Sequence, residues 1–197
     1  MQFPHARFLL GVHQPSQFPG DDGAEVVFAG RSNAGKSSAL NVIVGRTSLA
    51  RTSKTPGRTQ QLNFFEFRPG CRVVDLPGYG YAKVPVPMRR HWQALLDAYF
   101  KQRQSLRGVI QIMDVRHPLT DYDIELIEFA NGRGVAVHVL LTKADKLSRS
   151  QQMLTLKKVE AALEGASVQL FSAPKKIGVD EAREALEQMW KLEAASG

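Results

Sequence analysis

The sequence predicts an α/β fold, a doubly wound, mainly parallel sheet with helices on both faces and one antiparallel edge hairpin. Three observations predict it. The second half of the chain alternates apolar runs of strand length with amphipathic stretches of helix length, the pattern of successive βαβ units. The run Val135-Ala136-Val137-His138-Val139-Leu140-Leu141 is almost continuously apolar, as expected of a parallel strand covered on both faces. In the first half, Glu25-Val26-Val27-Phe28-Ala29 leads into Gly30-Arg31-Ser32-Asn33-Ala34-Gly35-Lys36-Ser37 and then into helix-compatible residues. That is the strand–loop–helix setting of a phosphate-binding loop.

The elements follow in order. At 197 residues, 43% of them apolar and 23% charged, the chain is expected to form one globular domain over 25–194 behind an N-terminal extension, 1–24. The extension is polar, contains Pro and Gly, and ends in Gly20-Asp21-Asp22-Gly23. A first strand over about 25–29 feeds the loop and a helix over about 36–44. Residues 46–60 show no apolar periodicity and contain Thr55-Pro56-Gly57, which predicts a loop. Residues 62–67, the turn Arg68-Pro69-Gly70 and residues 71–75 read as the hairpin. Pro85 and Pro87 precede a helix near 87–104, where Trp92, Leu95, Leu96, Tyr99 and Phe100 are spaced for one buried face.

A buried strand is expected at 109–114. Thr120-Asp121-Tyr122-Asp123 starts a helix over 121–131, and Asn131-Gly132 stops it. After the strand 135–141, Ser148-Arg149-Ser150-Gln151 has capping-box spacing for a helix to about 163. A last strand at 168–171 and a last helix over about 179–194 close the chain, the helix burying Ala182, Leu186, Met189 and Trp190. Trp92 and Trp190 read as core residues, and His117 and His138 as structural ones.

Composition narrows the function. A single cysteine, Cys71, excludes an internal disulfide framework and fits a reducing compartment. The apolar stretch 8–12 is too short for a signal peptide, and nothing approaches a membrane span. A soluble cytoplasmic monomer with no membrane partner is expected. The histidines and the cysteine are scattered, so no zinc site is expected. Net charge is +7, and residues 46–107 hold twelve Lys/Arg against three acids. A basic face confined to one stretch points to a polyanionic partner, the alternative being a solvated face without one.

The motifs choose the ligand. Glycines let the loop wrap a β-phosphate with successive N–H groups, and the following helix start adds its positive end. Lys36 is placed to bridge the β- and γ-phosphates and the Ser37 hydroxyl to hold Mg²⁺. Asp75-Leu76-Pro77-Gly78 ends a strand; its carboxylate can hold Mg²⁺ through water, and the Gly78 N–H can touch the γ-phosphate. That contact exists only while the phosphate does, which makes the next loop a switch. Thr142-Lys143-Ala144-Asp145 follows a buried strand, at the sheet edge where ligands bind. Asp145 can accept from guanine N1–H and the 2-amino group, the Lys143 stem can lie along the base, and Phe171-Ser172-Ala173 can offer a backbone N–H to the guanine carbonyl. Guanine is expected over adenine.

The set GRSNAGKS, TPGRTQ, DLPGYGYAKV, TKAD and FSA, with MDVRHPLTDYD, resembles the EngB (YihA/YsxC) family of ribosome-biogenesis GTPases, in the translation-factor class of P-loop proteins. The likeness runs from about residue 25 to 190. It implies the P-loop GTPase fold, hydrolysis of GTP to GDP and phosphate, and a role in assembling the large ribosomal subunit through rRNA and ribosomal proteins. A link to cell division and septation goes with it. The resemblance implies that Gly30–Ser37, Gly57, Arg58, Thr59, Gln60, Gln61, Asp75–Gly78, Thr142–Asp145 and Phe171–Ala173 contact the nucleotide. By the same resemblance Ser37 and Thr59 ligate Mg²⁺, and hydrolysis falls to Lys36, Thr59 and Gly78. A hydroxyl at 59, between the first helix and the second strand, can reach the metal only when the γ-phosphate organises that loop.

Two departures from the general GTPase pattern stand out. Thr142 replaces the Asn of many GTPases, removing a side-chain amide, which the resembled family tolerates. Tyr79 stands where signalling GTPases carry a water-orienting Gln, so slow intrinsic hydrolysis is expected, with electrostatics supplied from elsewhere. Asn33 resembles the position at which some GTPases help to bind K⁺. Three alternatives stay open at this level: a GTP-binding module without hydrolysis, an ATP-using kinase, and a division or signalling switch acting through a protein without rRNA contact.

Overall fold

The computed structural model describes residues 3–46, 49, 61–79 and 86–193. In chain order the elements are β1 (Arg7–Val12), β2 (Ala24–Gly30), α1 (Lys36–Val44), β3 (Leu62–Arg68), β4 (Cys71–Asp75) and α2 (Val86–Gln102). The second half adds β5 (Leu106–Asp114), α3 (Asp121–Asn131), β6 (Ala136–Thr142), α4 (Arg149–Ala162), β7 (Ala166–Leu170) and α5 (Val179–Lys191). The loop expected over 46–60 and the segment 80–85 lie almost wholly outside the described residues.

All seven strands form one sheet in the order β1-β3-β4-β2-β5-β6-β7. From β4 to β7 the neighbours are parallel, while β3 runs antiparallel to β4 and β1 antiparallel to β3. β2 is buried along its whole length, and its side chains alternate between two cores. Val26 and Phe28 join Leu40 and Ile43 of α1 and Leu186 and Trp190 of α5; Val27 and Ala29 join Tyr99 of α2, Ile127 of α3 and Val159 of α4. That two-residue alternation is why a strand covered on both faces shows no polar side in sequence. The order reverses at β2, with β4 on one side and β5 on the other. The carboxyl end of β2 is thus the crevice where such sheets bind ligands.

Residues 1–24, expected as a lead-in without an element, contain the outermost strand. β1 pairs with β3 beyond the hairpin, and Arg7 Nη2 meets Glu66 Oε2 across the pair at 2.6 Å. Only its last residue is fully buried, so the alternation that announces a strand is missing.

The rest of the lead-in is tied down by charge. Glu25, at the start of β2, is fully buried, which is costly for a carboxylate without partners. Tyr99 donates to its Oε2 at 2.9 Å, Arg103 Nε at 3.2 Å, and Arg103 Nη2 also donates to its Oε1. Arg72 adds a contact at 3.5 Å while bonding Asp22, and Asp21 accepts from Ser105. Arg72 and Arg103 are therefore internal residues and not part of a basic surface. Arg68 pairs with Glu187, and Arg46 donates to the Ala6 and Pro4 carbonyls. Trp190 is buried as expected, its Nε1 donating to the Arg72 carbonyl at 3.0 Å, whereas Trp92 is only partly buried.

Candidate functional site

Close backbone packing shapes the phosphate loop. A Cβ on Gly30 would lie 2.7 Å from the Ile112 carbonyl oxygen, so β2 and β5 approach as only glycine allows. Gly35, at φ +100°, turns the chain into α1 and caps it without a side chain. The first-turn N–H groups of α1 thus meet no capping side chain, which suits an anion. Lys36 and Asp75 face each other from α1 and the end of β4, Nζ against Oδ1, both side chains 11% exposed. The parallel register of β2 and β4, with Phe28 opposite Asp75, brings the two motifs to one edge. Ser37 follows on the same turn of α1.

The Asp75–Gly78 segment lies directly on the loop. A Cβ on Gly78 would be 3.1 Å from both Cα and N of Ser32, and the Ser32 N–H donates to the Tyr79 carbonyl at 2.9 Å. Among the described residues the buried Ser32 hydroxyl has no hydrogen-bond partner. Leu76 is buried and Pro77 half-buried.

The base-reading motif is joined to the same loop. Thr142 Oγ1 lies against two carbonyl oxygens, Ala34 at 2.5 Å and Met113 at 3.0 Å. Lys143, in the left-handed region at φ 58°, donates from Nζ to the Asn33 carbonyl at 2.6 Å and meets Asp114 Oδ2 at 2.9 Å. Burial raises the Asp114 carboxyl, but hydrogen bonds from Arg116 and Lys143 outweigh this and hold it well below the usual carboxylate range. Ala144 donates its N–H to the Phe171 carbonyl, linking the motif to the end of β7. Asp145 Oδ1 accepts the Ser172 hydroxyl at 2.5 Å, a bond that lowers the Asp145 pKa below the ordinary aspartate value. An ionised carboxylate with acceptor capacity left over is what a guanine N1–H and 2-amino pair requires. Ala173 follows the fully buried Ser172 at this edge.

The structure thus gathers Gly30 to Ser37, Asp75 to Gly78, Thr142 to Asp145 and Phe171 to Ala173 at the carboxyl edge of the sheet. Gly57, Arg58, Thr59 and Gln60 lie outside the described residues. Gln61 bonds Asn63 Oδ1 at 2.8 Å and lies over Gly11, so its described contacts are on the β1–β3 side of the sheet.

Sequence reasoning missed Asp114 as the partner of Lys143, and it missed what holds Tyr79. That phenol is 7% exposed, donates to Asp123 Oδ1 at 2.7 Å and accepts from Gln111. Burial and the neighbouring Asp123 push its pKa far above the ordinary tyrosine value. The motif MDVRHPLTDYD contains both Asp114 and Asp123, and the Thr120-x-x-Asp123 spacing was the available signal. Beside the loop, a cleft of about 220 Å³ is lined by Arg31, Ser32, Asn33, Asp114, Arg116 and Lys143 among others. His117 also lines it, while His138 is buried near the start of β6, at the other end of the strand from Thr142.

The comparisons agree with this geometry. Residues 25–143 match the model of a family described as 50S ribosome-binding GTPase. A "Probable GTP-binding protein EngB" of Stenotrophomonas maltophilia is 58% identical over 183 residues, covering 90% of this chain and 92% of that one. Its counterpart in Xanthomonas campestris pv. campestris is 55% identical, covering 90% and 88%. Among solved structures, a probable GTP-binding protein EngB superposes with a TM-score of 0.71 at 18% identity, over 85% of this chain and 99% of that one. A bacterial selenocysteine-specific elongation factor shares the fold at a TM-score of 0.58 and 16% identity, over 85% of this chain and 28% of that one. With the phosphate loop, the Asp75–Gly78 segment, Thr142–Asp145 and Phe171–Ala173 on one edge, the chain belongs to the EngB family of P-loop GTP-binding proteins and hydrolyses GTP to GDP and phosphate.

Proposed function

We propose that this GTPase is an Mg²⁺-dependent switch in assembly of the large ribosomal subunit, docking on rRNA with ribosomal proteins contributing. One observation carries the reading. The segments 51–60 and 76–90, which flank the nucleotide site in sequence, contain Arg51, Lys54, Arg58, Lys83, Arg89 and Arg90 and no acid. Arg68, Arg72 and Arg103 pair with acids elsewhere in the fold and Arg46 with backbone carbonyls, which leaves these six as the cations of the basic stretch nearest the switch in sequence. A polyanion bound there would sense whether the γ-phosphate is present. The description of the matched family as ribosome-binding supports the same partner.

The residues present fit Mg²⁺. Ser37 on the first turn of α1 would be a direct oxygen ligand and Asp75, beside Lys36, would hold the ion through water, the sparse protein set this ion accepts when phosphates and water complete its shell. Thr59 is the further ligand proposed by resemblance. Bound with the nucleotide, the ion neutralises charge on the β- and γ-phosphates. Lys36, freed from Asp75, then meets the phosphates, and Gly78 offers its N–H to the terminal one. A cytoplasmic monomer, with division and septation depending on ribosome supply, completes the reading. No helix among the described residues is long and apolar enough to cross a membrane.

The test is sedimentation with large-subunit precursors in a GTP analogue, in GDP and without nucleotide, over a salt series. Binding should favour one nucleotide state and fall steeply with salt. The double variant R89E/R90E should weaken particle binding and leave GTP affinity intact. Binding that ignores both nucleotide and salt would leave the protein-partner switch as the better account.

A further inference from the structure

We propose that Tyr79 is a positioning residue for hydrolysis: latched to Gln111 and Asp123, it fixes Gly78 to meet the γ-phosphate and couples that contact to the start of α3. The inference rests on the reading of Gly78 as the γ-phosphate contact.

Tyr79 is held on two sides. Its carbonyl accepts the Ser32 N–H at 2.9 Å, so its backbone sits on the phosphate loop beside Gly78. Its hydroxyl lies in a buried polar triad with Asp123 and Gln111, which are 1% and 0% exposed. Gln111 Nε2 donates to Asp123 Oδ1 as well, at 2.8 Å. The other oxygen of Asp123 accepts the Thr120 N–H at 3.0 Å and its hydroxyl at 2.7 Å, closing the first turn of α3. A single buried carboxylate therefore serves both the helix start and the residue that follows the Asp75–Gly78 segment.

The triad is arranged around that carboxylate. Gln111 turns its N–H groups toward Asp123 and Tyr79 and leaves its own Oε1 buried without a partner among the described residues. Both the phenol and the Gln111 amide thus donate to the one oxygen, Asp123 Oδ1. The phenol proton is committed to Asp123, and its raised pKa keeps it there. Tyr79 thus cannot orient the attacking water as a glutamine would. What remains to it is placement. Gly78 and Tyr79 form the last described turn of chain before 80–85, anchored to β5 and α3, so a γ-phosphate contact at Gly78 pulls against α3.

Tyr79→Phe keeps the ring and removes the latch. Affinity for a non-hydrolysable GTP analogue should fall about tenfold, the size of one ordinary hydrogen bond, with kcat reduced and GDP affinity unchanged within about twofold. Amide exchange at 120–124 should be slower with the analogue than with GDP in the wild type, and equal in Tyr79→Phe, because coupling is reciprocal. Gln111→Met, which spares the Tyr79–Asp123 bond, should show the same split at smaller size and serves if Tyr79→Phe does not fold. Equal loss for both nucleotides, or no loss, would overturn the latch. Gly78→Ala, which sets a methyl against Ser32, separates the two layers. If it keeps the analogue affinity, the Gly78 reading fails. If it loses that affinity while Tyr79→Phe does not, only the latch fails.

Discussion

The Thr142 hydroxyl rests on the carbonyl of Ala34, joining the Thr142–Asp145 motif at the end of β6 to the loop between β2 and α1. A hydroxyl that ties the two segments together is expected to support both ends of a bound nucleotide. Thr142→Val should lower GTP and GDP affinity alike, by about fivefold to tenfold for one net hydrogen bond, whereas Thr142→Ser should stay near wild type. Titration with both nucleotides checks this, and a loss confined to GTP would mean that Thr142 has another role.

Asp145 should set base choice. Its carboxylate accepts the Ser172 hydroxyl, which lowers its pKa, and guanine presents two donors where xanthine presents an acceptor at the 2-position. Asp145→Asn should cut GTP affinity and shift preference toward xanthosine triphosphate. Ser172→Ala should lower GTP affinity by less, since one supporting hydrogen bond is worth about 1 kcal/mol. GTP affinity unchanged in Asp145→Asn would remove that residue from the base pocket.

Where structure depends on neighbours in sequence, the sequence shows it. The capping box read at Ser148 forms as spaced, Gln151 Oε1 accepting the Ser148 N–H at 3.1 Å. The apolar run before Thr142 is a buried parallel strand, and the phosphate loop sits between β2 and α1. What sequence hides is pairing at long range. Arg72 and Arg103 look like surface charge until Glu25 is buried between them, although a lone glutamate opening an apolar strand was a hint. β1, at the edge of the sheet, shows no alternation because its residues are exposed or half-buried on both faces until Val12. Tyr79 reads as a missing glutamine, and nothing local shows that its hydroxyl is taken by a residue on α3.

Asn33 tests for a monovalent cation. It is exposed at φ 63°, with its carbonyl engaged by Lys143, so its side chain is the part left to act. Hydrolysis should be faster in KCl than in NaCl at equal ionic strength, and Asn33→Ala should lose the difference. Equal rates in the two salts would dismiss K⁺.

The Glu25 network should carry much of the stability at the end of the sheet away from the nucleotide. Removing one partner of a buried ion pair strands the other charge and costs about 3–5 kcal/mol. Arg103→Ala should therefore lower the urea midpoint strongly. Arg103→Ala combined with Glu25→Gln should recover part of the loss, since no buried charge is then stranded. A single variant within about 0.5 kcal/mol of wild type would show that water replaces the guanidinium.

His138 gives the fold a dependence on pH that sequence alone does not reveal. It lies on β6 opposite Ser167 of β7, with Nδ1 2.7 Å from the Ser167 hydroxyl and Nε2 2.8 Å from Gln169 Oε1. Gln169 Nε2 donates to the Gly178 carbonyl at 2.7 Å, which turns its oxygen toward the histidine. His138 therefore donates from Nε2 and accepts at Nδ1, a neutral ring with both nitrogens satisfied. Burial lowers its pKa below the ordinary 6.5, and the bond to Gln169 offsets only part of that. As pH falls, the unfolded chain takes up this proton before the folded one. The stability contributed is complete above about pH 6.5 and is lost as pH drops through the folded-state value, by at most about 1.4 kcal/mol per pH unit. Urea midpoints should therefore fall more between pH 7.5 and 5.5 in the wild type than in His138→Gln. Parallel slopes would mean that the ring titrates alike in both states.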